Sequence, residues 1–187
     1  GPALAALLEN HLEGERQQEQ PAGDAEGRHA DAKRRQGALA QQCDRWTASM
    51  EEDEGGPSMM ASICAHASAS TPEAQHDLFI QCGSKDSLSI RYMPFADESY
   101  PPGGNEEYKT KMTFSLGRET FTLDAHYEAM DGAMVMDTEI DAPFVKALTS
   151  GKQFMLSDIG NDTVPVATFT LNGAGKAFEK LIKTCGQ

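Results

Sequence analysis

Hydrophobic residues recur at steps of three and four near the C-terminal end of the chain. They form one apolar stripe made of Ala174, Ala177, Phe178, Leu181, Ile182 and Cys185. The lysines Lys176, Lys180 and Lys183 fall on the opposite side. This spacing predicts an amphipathic helix, and Asn172 stands where an N-cap is expected.

Upstream of this helix, apolar and polar residues alternate in short segments that are separated by turn residues, which is typical of β-strands. We expect strands at residues 45–50, 58–67, 77–82, 87–93, 109–116, 120–127 and 134–140. A short helix at residues 142–148 and two further strands complete the pattern. About eight or nine strands and two helices predict a mostly β, α+β fold, either an antiparallel β-sandwich or a partly open barrel, with the C-terminal amphipathic helix packed on it.

The first 42 residues have a different composition, since every Phe, Ile, Val and Tyr lies after Cys43. Leu4, Leu7 and Leu8 have helical spacing, whereas residues 14–37 are polar and too poor in apolar side chains to fold alone. We therefore expect a mobile tail, with a helix and a flexible linker in residues 1–42, and a β-rich domain in residues 43–187. The three leucines are candidate partner contacts.

The formal net charge of −13 argues against nucleic acid as a partner, because phosphate binding needs clustered Lys and Arg. No run of apolar residues is long enough to span a membrane. The leading Gly1-Pro2 is typical of a tag-removal remnant, and we expect that any signal peptide was removed from a longer precursor.

Four cysteines, Cys43, Cys64, Cys82 and Cys185, allow three disulfide pairings, and the sequence does not choose among them. We expect Cys43 to pair with Cys64, because this joins neighbouring strands, and Cys82 to pair with Cys185, because this ties a central strand to the terminal helix. No zinc-ligand spacing is present. Disulfides favour an oxidising compartment, so we predict a periplasmic, secreted or surface protein.

Motifs of catalysis and of cofactor binding are missing from the sequence, including the nucleophile elbow, the Walker loop, the Rossmann fingerprint and H-E-x-x-H. The weak candidates for a catalytic pair are His76 with Asp77, and Asp124 with His126. The alternating Asp137, Glu139 and Asp141 are interpreted as a solvent face rather than a calcium site, and the methionines as core filler. We predict a protein that is not an enzyme and that holds no cofactor or metal.

The long connection at residues 94–107 is the preferred interaction site. It contains Phe95, Tyr100, Pro101 and Pro102, and aromatic anchors beside prolines are suited to a protein contact. A second, weaker candidate is the acidic run at residues 51–54, where a cation or a basic partner would bind.

The order of elements resembles the VasI/TagO family, a family of small periplasmic accessory proteins encoded in type VI secretion clusters. The resemblance rests on Trp46 in the first strand, on Leu78 to Cys82, and on the phenylalanine strand and helix from Phe169 to Cys185. It covers residues 43–185 and is specific over about the last forty. It implies a periplasmic or surface location and a binding or assembly role, without a catalytic residue.

These observations predict a bacterial envelope protein that binds another protein, as an accessory of secretion or of envelope assembly. The alternative is an inhibitor or ligand-binding module that acts on a cell-wall hydrolase, since small acidic periplasmic folds are suited to blocking cationic lysozymes.

Overall fold

A computed structural model describes residues 43–66, 74–95, 101–162 and 166–187. Nine antiparallel strands form one sheet in the order β1-β2-β3-β4-β7-β6-β5-β8-β9. The strands are β1 (Thr47–Asp53), β2 (Gly56–His66), β3 (Gln75–Cys82), β4 (Ser87–Met93), β5 (Lys109–Leu116), β6 (Glu119–Glu128), β7 (Ala133–Glu139), β8 (Gln153–Asp158) and β9 (Ala167–Thr170). Two helices, α1 (Pro143–Leu148) and α2 (Ala174–Cys185), and a 3₁₀ turn (Pro102–Gly104) complete the fold. The predicted fold class is confirmed.

The sheet curls until its two ends meet at Trp46. The backbone N–H of Trp46 donates to the carbonyl of Asn172 at 2.8 Å, and its indole Nε1 donates to the carbonyl of Thr170 at 2.7 Å. Strand β9 also contacts β2. The nine strands form one continuous curled sheet, so the partly open barrel describes the fold better than the sandwich.

Helix α2 covers the inner face of β1, β2 and β3. Its predicted apolar stripe is buried at Ala174, Ala177, Phe178 and Leu181, and the three predicted outward lysines are exposed. The ring of Phe178 lies 5.2 Å from that of Trp46. Cys82 shares the inner face of β3 with Leu78 and Ile80, and its disulfide to Cys185 therefore fixes the end of α2 against the sheet.

The predicted N-cap of α2 is wrong. Gly173 occupies the cap position with φ +78°, and no side chain caps the helix. A Cβ there would lie 3.0 Å from Arg45 Cγ and 3.1 Å from the Trp46 carbonyl oxygen, so close packing favours glycine. Asn172 instead uses its side-chain amide to donate to the carbonyl of Asp44 at 3.0 Å.

Helix α1 covers the opposite part of the inner face. Phe144 lies 4.5 Å from the ring of Phe114 and 5.5 Å from that of Phe121, which places it over β5 and β6. Phe154 and Phe169 stack at 5.2 Å on β8 and β9. The interior is thus filled by aromatic rings and by the two helices. In the part of the chain that the structure describes, neither helix is long and apolar enough to cross a membrane.

Both expected disulfides are present. Cys43 pairs with Cys64 across 21 residues, and Cys82 pairs with Cys185 across 103 residues. The predicted helical and mobile tail, including Leu4, Leu7 and Leu8, lies outside the described residues.

We expect that removal of the Cys82–Cys185 disulfide destabilises the fold more than removal of the Cys43–Cys64 disulfide. In the chain-entropy picture, the longer loop contributes about 4.7 kcal/mol and the shorter one about 3 kcal/mol. The double variants Cys82→Ser/Cys185→Ser and Cys43→Ser/Cys64→Ser are compared by urea unfolding, followed through Trp46 fluorescence. Equal losses, or a larger loss for the shorter loop, would contradict the role assigned to the helix-to-sheet disulfide.

Candidate functional site

The outer face of the sheet, opposite α2, holds a groove with an apolar floor. Residues that lie directly opposite each other in antiparallel strands share a face, and the register therefore places Met60, Phe79, Arg91 and Met93 together on the outside. The groove has a volume of about 1080 Å³. We call it the acidic methionine groove.

Carboxylates surround this floor. Glu51, Glu52 and Glu54 line one side, and Glu128 and Asp131 line the other, together with Met130. The side chain of Met130 is 90% exposed, which is unusual for an apolar residue in a tight turn. An apolar, polarisable floor between two acidic walls is suited to binding an apolar side chain of a partner protein that is flanked by positively charged residues.

Arg91 is the single cation among the residues that line the groove, and it is already paired. Its Nη1 lies 3.3 Å from Glu128 Oε2 and also forms an ion pair with Asp131. These contacts hold the β6–β7 turn to β4. Five carboxylates and one guanidinium line the groove, so its lining carries a formal excess of negative charge.

The predicted loop site is only partly available at the surface. Phe95 is 49% exposed, and its backbone N–H donates to His76 Nδ1 at 2.9 Å. Pro101 is buried, so its ring does not face a partner, and Pro102 is half-buried. Tyr100 lies outside the described residues.

His76 is a neutral structural histidine. Its Nδ1 accepts from Phe95 and lies 3.1 Å from the hydroxyl of Tyr92, which leaves no room for a proton on that nitrogen. Burial lowers the pKa of His76. Burial also raises the pKa of Tyr92, and the nearby charge of Asp158 adds to this effect. The pair therefore ties the start of the loop to the barrel interior.

Asp158 ends β8 as a buried carboxylate with several donors. Thr110 Oγ1 donates at 2.6 Å, Tyr108 OH at 3.0 Å, and the backbone N–H of Gly160 at 2.9 Å. Buried charge is tolerated when its oxygens are hydrogen-bonded in this way. The segment from Asp158 to Asp162 (D-I-G-N-D) is thus a turn.

His76 and Asp77 do not form a pair, and Asp124 of the second pair has another partner. His76 faces the interior, whereas the adjacent Asp77 points to the outer face and accepts from Gln75 Nε2 at 3.1 Å. Asp124 is ion-paired with Lys111 on the exposed face of β6. All four cysteines are in disulfides.

Other residues singled out from the sequence have structural settings. Asp137, Glu139 and Asp141 are all exposed. No cluster of three or more His, Cys, Asp or Glu suited to a metal occurs among the described residues. Met59, Met112, Met134 and Met136 are buried core side chains, as expected, but Met60, Met93 and Met130 line the groove.

The acidic run and these methionines are each visible in the sequence, but local pattern does not bring them together. The signal that links them is strand register, because Met60 and Met93 occupy outward positions of strands that flank β3. Assigning the two faces of each strand from its alternation therefore reveals, in the sequence, outward methionines next to an acidic hairpin tip.

Asp77 lies on the same outer face, between Cys64 and Met93 in the register. Burial raises its pKa to about 6, while the hydrogen bond from Gln75 acts in the opposite direction. At neutral pH this half-buried carboxylate is therefore ionised at a cost to stability.

Comparisons with known proteins identify no family. No family model matches the chain, and no curated protein matches it. The VasI/TagO resemblance thus receives no support from these comparisons. Among solved structures, the chain is similar to invasion associated protein B from Bartonella henselae, with 13% identity and a TM-score of 0.49 over 74% of this chain and 92% of that one. We draw nothing about function from a similarity at this level.

We expect Asp77→Asn to stabilise the protein at pH 7 by about 1–2 kcal/mol, a figure reduced from the full shift because the side chain is partly hydrated. The folded state binds the Asp77 proton more tightly than the unfolded chain, so the penalty appears as pH rises from about 4 through 6. The gain should therefore vanish near pH 4.

The lowered pKa of His76 has the opposite effect, since stability falls as pH drops below its ordinary value of 6.5. Urea unfolding across pH 4–8 should accordingly show a steeper acid loss in Asp77→Asn than in the parent chain. Asp137→Asn, on the same face but exposed, is the control. A pH-independent gain in Asp77→Asn would show that charge burial is not its cause.

Proposed function

We propose that this chain is a non-enzymatic protein of the bacterial envelope that binds another protein through the acidic methionine groove. The observation that carries the proposal is the combination of three methionines, Phe79 and five carboxylates that line one open sheet face. The matching partner surface has Lys or Arg on both sides of an apolar anchor.

Two disulfides support an extracytoplasmic location, because such bonds persist in oxidising compartments. Binding rather than turnover is favoured because His76 and Asp77 point to opposite faces, Asp124 is ion-paired with Lys111, and all four cysteines form disulfides. The resemblance to secretion accessory proteins supports the finer proposal of a role in a secretion or envelope assembly.

The test is capture from an envelope extract with a photo-crosslinking residue in place of Phe79. The triple variant Glu51→Gln/Glu52→Gln/Glu54→Gln should reduce the crosslinked product at least about tenfold, because it removes most of the excess negative charge of the groove. Raised salt should weaken capture in the parent chain.

The matched control is Glu119→Gln/Asp141→Asn/Glu179→Gln, which removes the same charge from exposed positions outside the groove. It should leave the crosslink unchanged. An equal loss of crosslinked product in both triple variants would show that only the net charge of the protein matters, and would contradict a defined site.

A second function, inhibition of a cationic cell-wall hydrolase, is favoured by the same acidic walls. If it holds, the protein slows lysis of a peptidoglycan suspension by a cationic lysozyme, and the groove triple variant does not. If lysis is unchanged at a high molar excess of this protein over lysozyme, the inhibitor function is excluded, and the proposal of partner binding is unaffected.

A further inference from the structure

Strands β6 and β7 are paired at one end and separate at the other. Their register covers His126 with Val135, Tyr127 with Met134, and Glu128 with Ala133. Beyond this point β6 continues along β5 to Glu119, and β7 continues along β4 to Glu139. Within the described residues, no strand pairs with the other edges of these two continuations.

The hydrogen-bond alternation of antiparallel strands identifies the open backbone groups of β6. The N–H of Tyr127 donates to the carbonyl of Tyr108 at 2.8 Å, so odd-numbered residues of β6 bond to β5. The even-numbered Thr120, Thr122 and Asp124 therefore direct their N–H and C=O groups towards the gap.

The same argument applies to β7. The N–H of Ile140 donates to the carbonyl of Asp86 at 3.0 Å, so even-numbered residues of β7 bond to β4. Asp137 and Glu139 consequently direct their backbone groups towards β6. All five of these residues are exposed.

A cavity of about 1130 Å³ adjoins the place where the strands separate, and we call this region the β6–β7 wedge. Leu123, Ala125 and Val135 supply apolar contacts. The charged lining residues are Glu107, Lys109, Asp124 and Asp137, and Asp124 is ion-paired with Lys111. On the inner side, Phe144 of α1 packs on Phe121 and closes the core. The hydrophobic interior is therefore complete without an occupant in the wedge.

Natural sheet edges are usually blunted by proline, by bulges or by short length. Strand β6 has ten residues, contains no proline, and reads T-F-T-L at its open edge. The open N–H and C=O groups occur at every second residue of β6. An extended peptide also presents its N–H and C=O groups to one side at every second residue, so the two can form a ladder of hydrogen bonds. Glu107 and Asp137 outnumber Lys109 in the lining, and this remaining negative charge adds a preference for basic residues.

We propose that the β6–β7 wedge binds an extended, basic peptide segment of a partner protein by strand addition. This site goes beyond the acidic methionine groove, because it uses backbone groups of β6 and β7 rather than the outward side chains of β1 to β4. Main-chain hydrogen bonds supply affinity, and the residues that line the cavity select the side chains.

The probe is a phage-displayed library of random linear peptides about twelve residues long. Enriched peptides, made synthetically, should alternate apolar and basic residues. Titration should show that Thr122→Pro weakens binding at least about tenfold, because proline removes one open N–H without touching the β5 ladder. Thr122→Val keeps that N–H and should bind within about twofold of the parent chain.

Hydrogen exchange gives a readout that does not depend on how well the proline variant folds. In the parent chain, bound peptide should slow exchange at the amides of Thr120, Thr122 and Asp124. The groove triple variant should bind the peptide normally, which separates this site from the proposed function.

Failure to enrich any peptide overturns the proposal. So do peptides that leave the three amides unprotected, or peptides that the groove triple variant no longer binds.

Discussion

The fold depends on covering the inner face of a curled sheet. A nine-stranded sheet with one apolar face is stable only if that face is removed from water, and here α2 covers β1 to β3 while α1 covers β5 and β6. Trp46 connects both ends of the sheet, since it bonds to the backbone beyond β9 and packs on Phe178. The Cys82–Cys185 disulfide then holds the far end of α2 in place.

This arrangement leaves the outer face of β1 to β4 without a covering element among the described residues. Most residues on that face are small or polar, such as Ser62 and Ser89. Met60, Phe79 and Met93 are the apolar exceptions among them. Apolar side chains at outward positions are not needed by the core, which is already closed by the helices. Their position between acidic walls is the observation on which the proposed protein contact rests.

Much of the fold was predictable from local pattern, because alternation and helical periodicity report which face is buried. The strands β3, β4 and β5 and the stripe of α2 follow from such spacing, whereas the disulfide pairing was expected from the elements that each bond would join. The N-cap prediction for Asn172 is wrong because tertiary contacts override the local signal. The side chain of Asn172 donates to the carbonyl of Asp44, and Gly173 allows a close approach to Trp46. The groove and the wedge depend on which strands become neighbours in the sheet. Local periodicity does not predict that neighbour order, which is β4-β7-β6-β5-β8 here.

The groove and the wedge meet at the β6–β7 turn. Arg91 binds Glu128 and Asp131, and so fixes the turn at the end where β6 and β7 are paired. The strands separate only beyond His126 and Val135, because β7 follows β4 while β6 follows β5 around Phe144. One side of β7 thus supports the groove wall and the other borders the wedge. Since the ion pairs of Arg91 are built into the groove, a cationic partner that competes for Glu128 and Asp131 would loosen the same turn that limits the opening of the wedge.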